Sequence, residues 1–190
     1  MEATKSILFT GVGGQGIILA SKILASALIK AGYDVKMSEV HGMAQRGGSV
    51  TTQVRFGKEV HSPIIGKGQA DVIVSFEKME ALRAIDHLRD GGKMIVNDYE
   101  IPSAPILNGT FDYPQGINEY LKSHASALIF DAEKAALEVG NIRTMNVILV
   151  GALAKALDID VDWNECIAAN VKEQFIEINK KAFDVGYNMA

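Results

Sequence analysis

Apolar runs of strand length alternate with stretches of helical periodicity through the first hundred residues, the pattern of a mostly parallel sheet with helices on both faces. Ser6 to Thr10 reads as a buried strand. It runs into Gly11-Val12-Gly13-Gly14-Gln15-Gly16, after which Ile17, Ile18, Ala20, Ser21, Leu24, Ala25 and Leu28 predict a helix ending near Gly32. Val35 to Ser38 follows as a second strand, and the three elements together have the length of a βαβ unit. A glycine-rich loop spans Gly42 to Gly48. Ser49 to Phe56 then alternates apolar and polar residues, as in a strand with one less buried face, and Gly57-Lys58 predicts a turn into a short strand, Glu59 to Ser62.

Asp71 to Phe76 is another buried strand. Met79, Leu82, Ile85 and Leu88 fall at helical spacing behind it, and Gly91-Gly92 predicts the stop of that helix before a strand at Lys93 to Asn97. Between Asp98 and Gln115 the periodicity weakens and three prolines occur, which marks 98–115 as a surface insertion or partner-facing segment. The sheet resumes at Ala127 to Phe130, and Ala132 to Val139 is a helix ending at Gly140. Two C-terminal helices are expected: an apolar one over Thr144 to Leu157, and an amphipathic one opened by Asp162 with Glu165 at capping-box spacing. In the second, Trp163, Ile167, Val171, Phe175 and Ile178 form one stripe, read as core or subunit interface. The whole chain, 1–190, reads as a single α/β domain: three layers, α/β/α, with a mostly parallel, Rossmann-like sheet and C-terminal helices.

Composition narrows the function classes. A 190-residue chain that is 48% hydrophobic buries roughly 70% of its unfolded surface, so the core needs neither disulfides nor metal. The net charge of −4 gives no general attraction to nucleic acid or an anionic membrane. The longest strongly apolar stretch, Val147 to Ala154, is far short of the roughly 20 residues of a membrane span. With no secretory pattern after the short run Ile7 to Thr10, a cytoplasmic location is expected. One cysteine, Cys166, cannot by itself ligate an iron–sulfur cluster or a structural zinc ion. Among apolar neighbours it reads as a buried structural thiol.

Two loops carry the candidate chemistry. Gly11-x-Gly13-x-x-Gly16 lies between a strand and a helix, the context of a phosphate-binding turn, and Glu39 sits where a ribose-binding acid would follow. A tight βα turn with no ligand explains the same glycines. The second loop, Ser38 to Gly48, leaves the C-terminal end of a strand, where ligands of open α/β sheets bind. It holds Glu39, His41, Met43, Gln45, Arg46, Gly47 and Gly48. Arg46, flanked by glycines, suits a carboxylate or phosphate group, and a solvated arginine is the bland alternative. His41 has no metal-ligand pattern around it in sequence. There is no Walker loop, nucleophile elbow, His-Glu-x-x-His or Cys-x-x-Cys, so the chain is better suited to bind or complete a site than to perform chemistry alone.

Taken together, Gly11 to Gly16, the Met43-Ala44-Gln45-Arg46-Gly47-Gly48 core, Ser62-Pro63, Ala70-Asp71-Val72, Phe76-Glu77, Gly140-Asn141 and Lys181 to Tyr187 resemble the γ family of 2-oxoacid:ferredoxin oxidoreductases over nearly the whole chain. The His41 to Gly48 form is similar to the small (β) subunit of the indolepyruvate-specific members. The resemblance implies a heteromeric enzyme in which thiamine diphosphate and iron–sulfur clusters oxidatively decarboxylate an aryl 2-oxoacid, pass electrons to ferredoxin and transfer the acyl group to coenzyme A. It implies that thiamine diphosphate, Mg2+ and the [4Fe-4S] clusters belong to a large (α) partner subunit, with ferredoxin engaged indirectly. This chain would then bind no cofactor alone and contribute no catalytic residue. The Gly11 to Gly16 turn and the Gln45 to Gly48 loop would face the substrate, coenzyme A or the partner. A free-standing dinucleotide-binding protein and a purely structural assembly subunit remain as alternatives, and dimerisation of the isolated chain is open.

Overall fold

The computed structural model describes residues 4–41 and 48–190. Chain order begins β1 (Lys5–Val12), α1 (Ile17–Lys30), β2 (Asp34–His41), β3 (Ser49–Gly57), β4 (Ala70–Ser75), α2 (Lys78–Ala84) and β5 (Leu88–Asn97). It continues with α3 (Ala104–Leu107), α4 (Ile117–His124), β6 (Ser126–Phe130), α5 (Ala132–Val139), α6 (Met145–Leu157), α7 (Trp163–Asn170) and α8 (Ile176–Met189). The strands form one sheet in the order β2-β3-β1-β4-β5-β6. β1, β4, β5 and β6 are parallel neighbours. β3 runs antiparallel to both β1 and β2.

Alternation along the strands sorts side chains to two faces. Ile7, Phe9, Val72, Val74 and Ile95 meet α1, α5, α6, α7 and α8 on one side. Leu8, Ile73, Met94 and Val96 meet α2 and α4 on the other. The result is the expected three-layer α/β/α architecture, with a thick helical layer and a thin one. Within the thick layer α6 is buried along nearly its whole length. A Cβ at Gly151 would overlap the Phe183 carbonyl oxygen of α8, and one at Gly186 would overlap the Ile148 carbonyl oxygen of α6. These two glycines let the helices cross backbone against backbone, closer than any side chain allows.

Several elements differ from the sequence expectation. β1, α1 and β2 do follow in series, but β3 lies between the two strands, so they do not form a simple adjacent βαβ pair. Glu59 to Ser62 is not a strand, because side chains rather than a ladder satisfy it: Val60 N donates to Asp34 Oδ2 (2.8 Å) and Arg55 Nη1 donates to the Ser62 carbonyl (3.1 Å). The helix after β4 ends at Ala84 and not near Gly91. A 3-10 turn, Ile85–His87, follows, and its Asp86 and His87 carbonyls accept from Gly68 N and Gln69 N. Gly91 and Gly92 lie inside β5. The amphipathic stripe begun at Trp163 does not run through one helix. Asn170 Nδ2 donates to the Cys166 carbonyl (2.8 Å) and to Ser26 Oγ (2.9 Å), Val171 turns extended, and Phe175 is left exposed.

The cap read at Asp162 is present, its side chain accepting from Glu165 N, and Asp131 caps α5 in the same way by accepting from Lys134 N. Cys166 is buried as expected, and burial raises its thiol pKa.

Candidate functional site

The C-terminal ends of β1, β4 and β5 converge on the glycine turn. Gln15 is its staple: Oε1 accepts from Val12 N (2.7 Å) and Nε2 donates to the Phe76 carbonyl at the end of β4 (2.8 Å). Gly11 lies under that staple, where a Cβ would come within 2.7 Å of Gln15 Oε1 and 2.8 Å of Phe76 Cβ. Gly16, with φ +80°, turns the chain into α1, and a Cβ there would lie 2.5 Å from Asn146 Nδ2. Asn146, at the start of α6, donates from that nitrogen to the Gly16 carbonyl (3.1 Å).

A second buried amide extends the staple. Asn97, at the end of β5, donates to the same Phe76 carbonyl (3.2 Å) and accepts from Ala132 N at the start of α5 (2.9 Å). Asn97, Gln15 and Asn146 thus tie three strand ends and two helix starts to the turn without any charge. Sequence spacing gave no sign of Asn97 or Asn146, because their partners are 21 to 130 residues away.

The turn separates two clefts. The first, about 460 Å3, is mainly apolar and is lined by Val12, Ile17, Ile18 and Val50 with Glu39 beside the turn. The second, about 680 Å3, has Tyr99, Ile101, Glu133, Arg143 and Asn146 around the other side of the same turn. Exposed apolar side chains rim this edge: Ile18, Val40 and Ile142 are each about half exposed (45%, 52% and 46%). Arg143, exposed in the second cleft, is a cation that sequence analysis overlooked because no motif surrounds it.

Of the sequence-predicted residues, Gly11, Gly13, Gly14, Gln15 and Gly16 form the turn, and Glu39 on β2 reaches the first cleft. His41 ends β2, paired in register with Val50. Gly48 is half-buried and its carbonyl accepts from Gly13 N (2.9 Å), which brings the second loop's end to the turn. Met43, Gln45, Arg46 and Gly47 lie outside the described residues.

The turn's amides bear on its ligand. Val12 N, Gly13 N and Gln15 N already donate to Gln15 Oε1, the Gly48 carbonyl and the Val12 carbonyl. A pyrophosphate held by these three amides would have to displace those bonds, and β3 holds the Glu39 strand one position away from β1. Both points weigh against a dinucleotide lying across this crevice.

An iron–sulfur cluster does not fit this chain's thiol content. A cluster needs several thiolates and the one cysteine is buried. Among the described residues no group of three or more His, Cys, Asp and Glu side chains is placed to hold a metal ion. Among the same residues no helix is long and apolar enough to cross a membrane.

Residues 6–189 match the family described as pyruvate ferredoxin/flavodoxin oxidoreductase. The chain belongs to this family. An indolepyruvate oxidoreductase subunit IorB of Pyrococcus horikoshii is 43% identical, over 97% of this chain and 95% of its own. A common γ subunit of pyruvate/ketoisovalerate oxidoreductases from Thermococcus kodakarensis is 32% identical over 96% and 95%. The fold is that of the γ subunit of a keto/oxoacid ferredoxin oxidoreductase from Geobacter sulfurreducens, with a TM-score of 0.73 at 24% identity over 98% of each chain. A 2-oxoglutarate:ferredoxin oxidoreductase of Magnetococcus marinus, solved with 2-oxoglutarate, coenzyme A and succinyl-CoA, contains the same fold within a longer chain. There the TM-score is 0.75 at 22% identity, over all of this chain and 31% of that one. Within the oxidoreductase family the chain is a small subunit of the indolepyruvate, IorB-like type.

Proposed function

We propose that the chain is the non-cofactor subunit of an indolepyruvate-type enzyme that oxidatively decarboxylates an aryl 2-oxoacid to its acyl-CoA and reduces ferredoxin. The observation that carries this reading is the gap between 43% identity to an indolepyruvate subunit and 32% to a pyruvate/ketoisovalerate subunit, at nearly the same coverage. The thiamine diphosphate, Mg2+ and clusters reside in a large partner subunit. This chain's part is to complete and enclose that subunit's site with the edge that bears the glycine turn. An apolar rim, two clefts and backbone locked by neutral amides suit a surface that excludes water from a reactive intermediate made elsewhere. Residues 98–115 are a surface insertion whose first residues join that edge. Arg46 engages an anionic group of the substrate, coenzyme A or the partner.

Reconstitution tests it. The chain alone should reduce no viologen, and the complex with its partner should do so with aryl 2-oxoacids and coenzyme A in preference to pyruvate or 2-oxoglutarate. A preference for aliphatic 2-oxoacids would contradict the substrate assignment. Arg46→Ala is expected to raise KM for one of the two organic substrates or to weaken assembly; unchanged kinetics and assembly would remove Arg46 from the site.

A further inference from the structure

Glu77 is a fully buried carboxylate at the C-terminal end of β4 that has no part in the turn itself. Its oxygens gather donors from three places. Oε2 accepts from Glu80 N and caps α2 (2.8 Å), and Oε1 accepts from Ile101 N (3.3 Å) and from the Tyr113 hydroxyl. Ile101 and Tyr113 stand near the two ends of the segment that leaves β5 and returns to α4. Lys78 adds a clip at the near end: its backbone N donates to the Tyr99 carbonyl (3.1 Å), and its Nζ pairs with Asp98 (3.4 Å) and Glu100 (2.5 Å). Tyr99 and Ile101, the residues so fixed, are a wall of the second cleft.

We propose that Glu77 is a positioning residue for the second cleft, fixing through Ile101 and Tyr113 the 98–113 strap whose inner end forms the cleft wall. The proposal rests on the reading that this edge faces the catalytic partner. Beyond these, Asp98 N donates to the Phe130 carbonyl of β6 (2.8 Å), and the rest of the strap has little to hold it. α3 is one short turn, and Leu107 and Phe111 are exposed, so Ile106 and Tyr113 are its main apolar contacts with the thin layer. A buried acid that satisfies three donors cannot be replaced isosterically without loss. An amide in its place presents a donor to one of the N–H or O–H groups that the carboxylate now accepts from. Burial and the facing Glu77 carboxylate both raise the Tyr113 pKa, so that hydroxyl stays protonated and serves as donor. The charged groups around the pair are Glu80 on α2, with Lys78, Asp98 and Glu100 at the strap's near end.

Two variants separate positioning from folding. Tyr113→Phe keeps the ring and removes one donor, and Glu77→Gln keeps the shape and removes the charge. In the isolated full chain both should speed thermolysin cleavage within 98–113. In the complex with the partner subunit, KM for the 2-oxoacid or for coenzyme A should rise about threefold for Tyr113→Phe and about tenfold for Glu77→Gln, with kcat held within about twofold. Faster strap cleavage with both KM values unchanged would overturn the proposal, and so would unchanged cleavage. Failure of the underlying reading has a separate signature: Ile18→Asp and Arg46→Ala would both leave assembly, KM and kcat as they were.

Discussion

The two faces of the sheet are held by different physics. On the thick side α6 and α8 meet through Gly151 and Gly186 with carbonyl oxygens where side chains would be, and the layer is fastened by close apolar packing. On the thin side α2 and α4 also pack through an apolar cluster, but the irregular strap between β5 and α4 is fastened by one buried carboxylate, a lysine clip, one backbone bond to β6 and few apolar contacts. The first arrangement fails globally when a methyl group is added. The second can open without unfolding the sheet, and the element it fixes borders the proposed site. Elements that border function are drawn from the parts of a fold with the lowest local stability.

Substitutions should break this contrast in a set order. Gly186→Ala places a Cβ against the α6 backbone and is expected to cost about 3 kcal/mol or more, read as a lower urea midpoint for the whole chain. A loss below 1 kcal/mol would mean that the helices separate easily. Asn97→Ala, at the seam between the faces, strands Ala132 N and is expected to cost about 2 kcal/mol in the same assay. Asp162→Ala removes the α7 cap, for which about 1 kcal/mol is expected.

The pH dependence of the strap's anchor is the finest test. Burial raises the Glu77 carboxyl above its ordinary value of 4.5, and the nearby Glu80 acts in the same direction. The native state therefore binds this proton more tightly than the unfolded chain does. Charging Glu77 costs stability as pH rises from about 4.5 through the raised native value. Relative to Glu77→Gln, the unsubstituted protein should lose Tm over that window, and a flat difference would place no titration at Glu77.

The strand and helix order was largely legible because each buried strand is a continuous apolar run and a cap is a local spacing, as at Asp162. The insertion of β3 between β1 and β2 was not legible, since strand order depends on which edges pair and not on local periodicity. Within the site, the glycines of the turn were visible because tight turns leave a local signature. Glu77 appeared only as part of a resemblance, without a role. Asn97, Asn146 and Arg143 left no local trace, because the partners or cleft that define them come from distant segments. Ile18 followed the helical pattern, yet it lines a cleft and stays exposed while its neighbour Ile17 is buried in the core.

Backbone amide hydrogen exchange of the chain, free and bound to its partner subunit, reads out which edge of the sheet meets that partner. Slowed exchange on binding is expected at Val12 to Ile18, Glu39-Val40, Tyr99 to Ile101 and Ile142-Arg143, with the far end of the sheet around Lys5, Gly57 and Arg89 unchanged. Protection at that far end, with the glycine-turn edge exchanging as in the free chain, would contradict it.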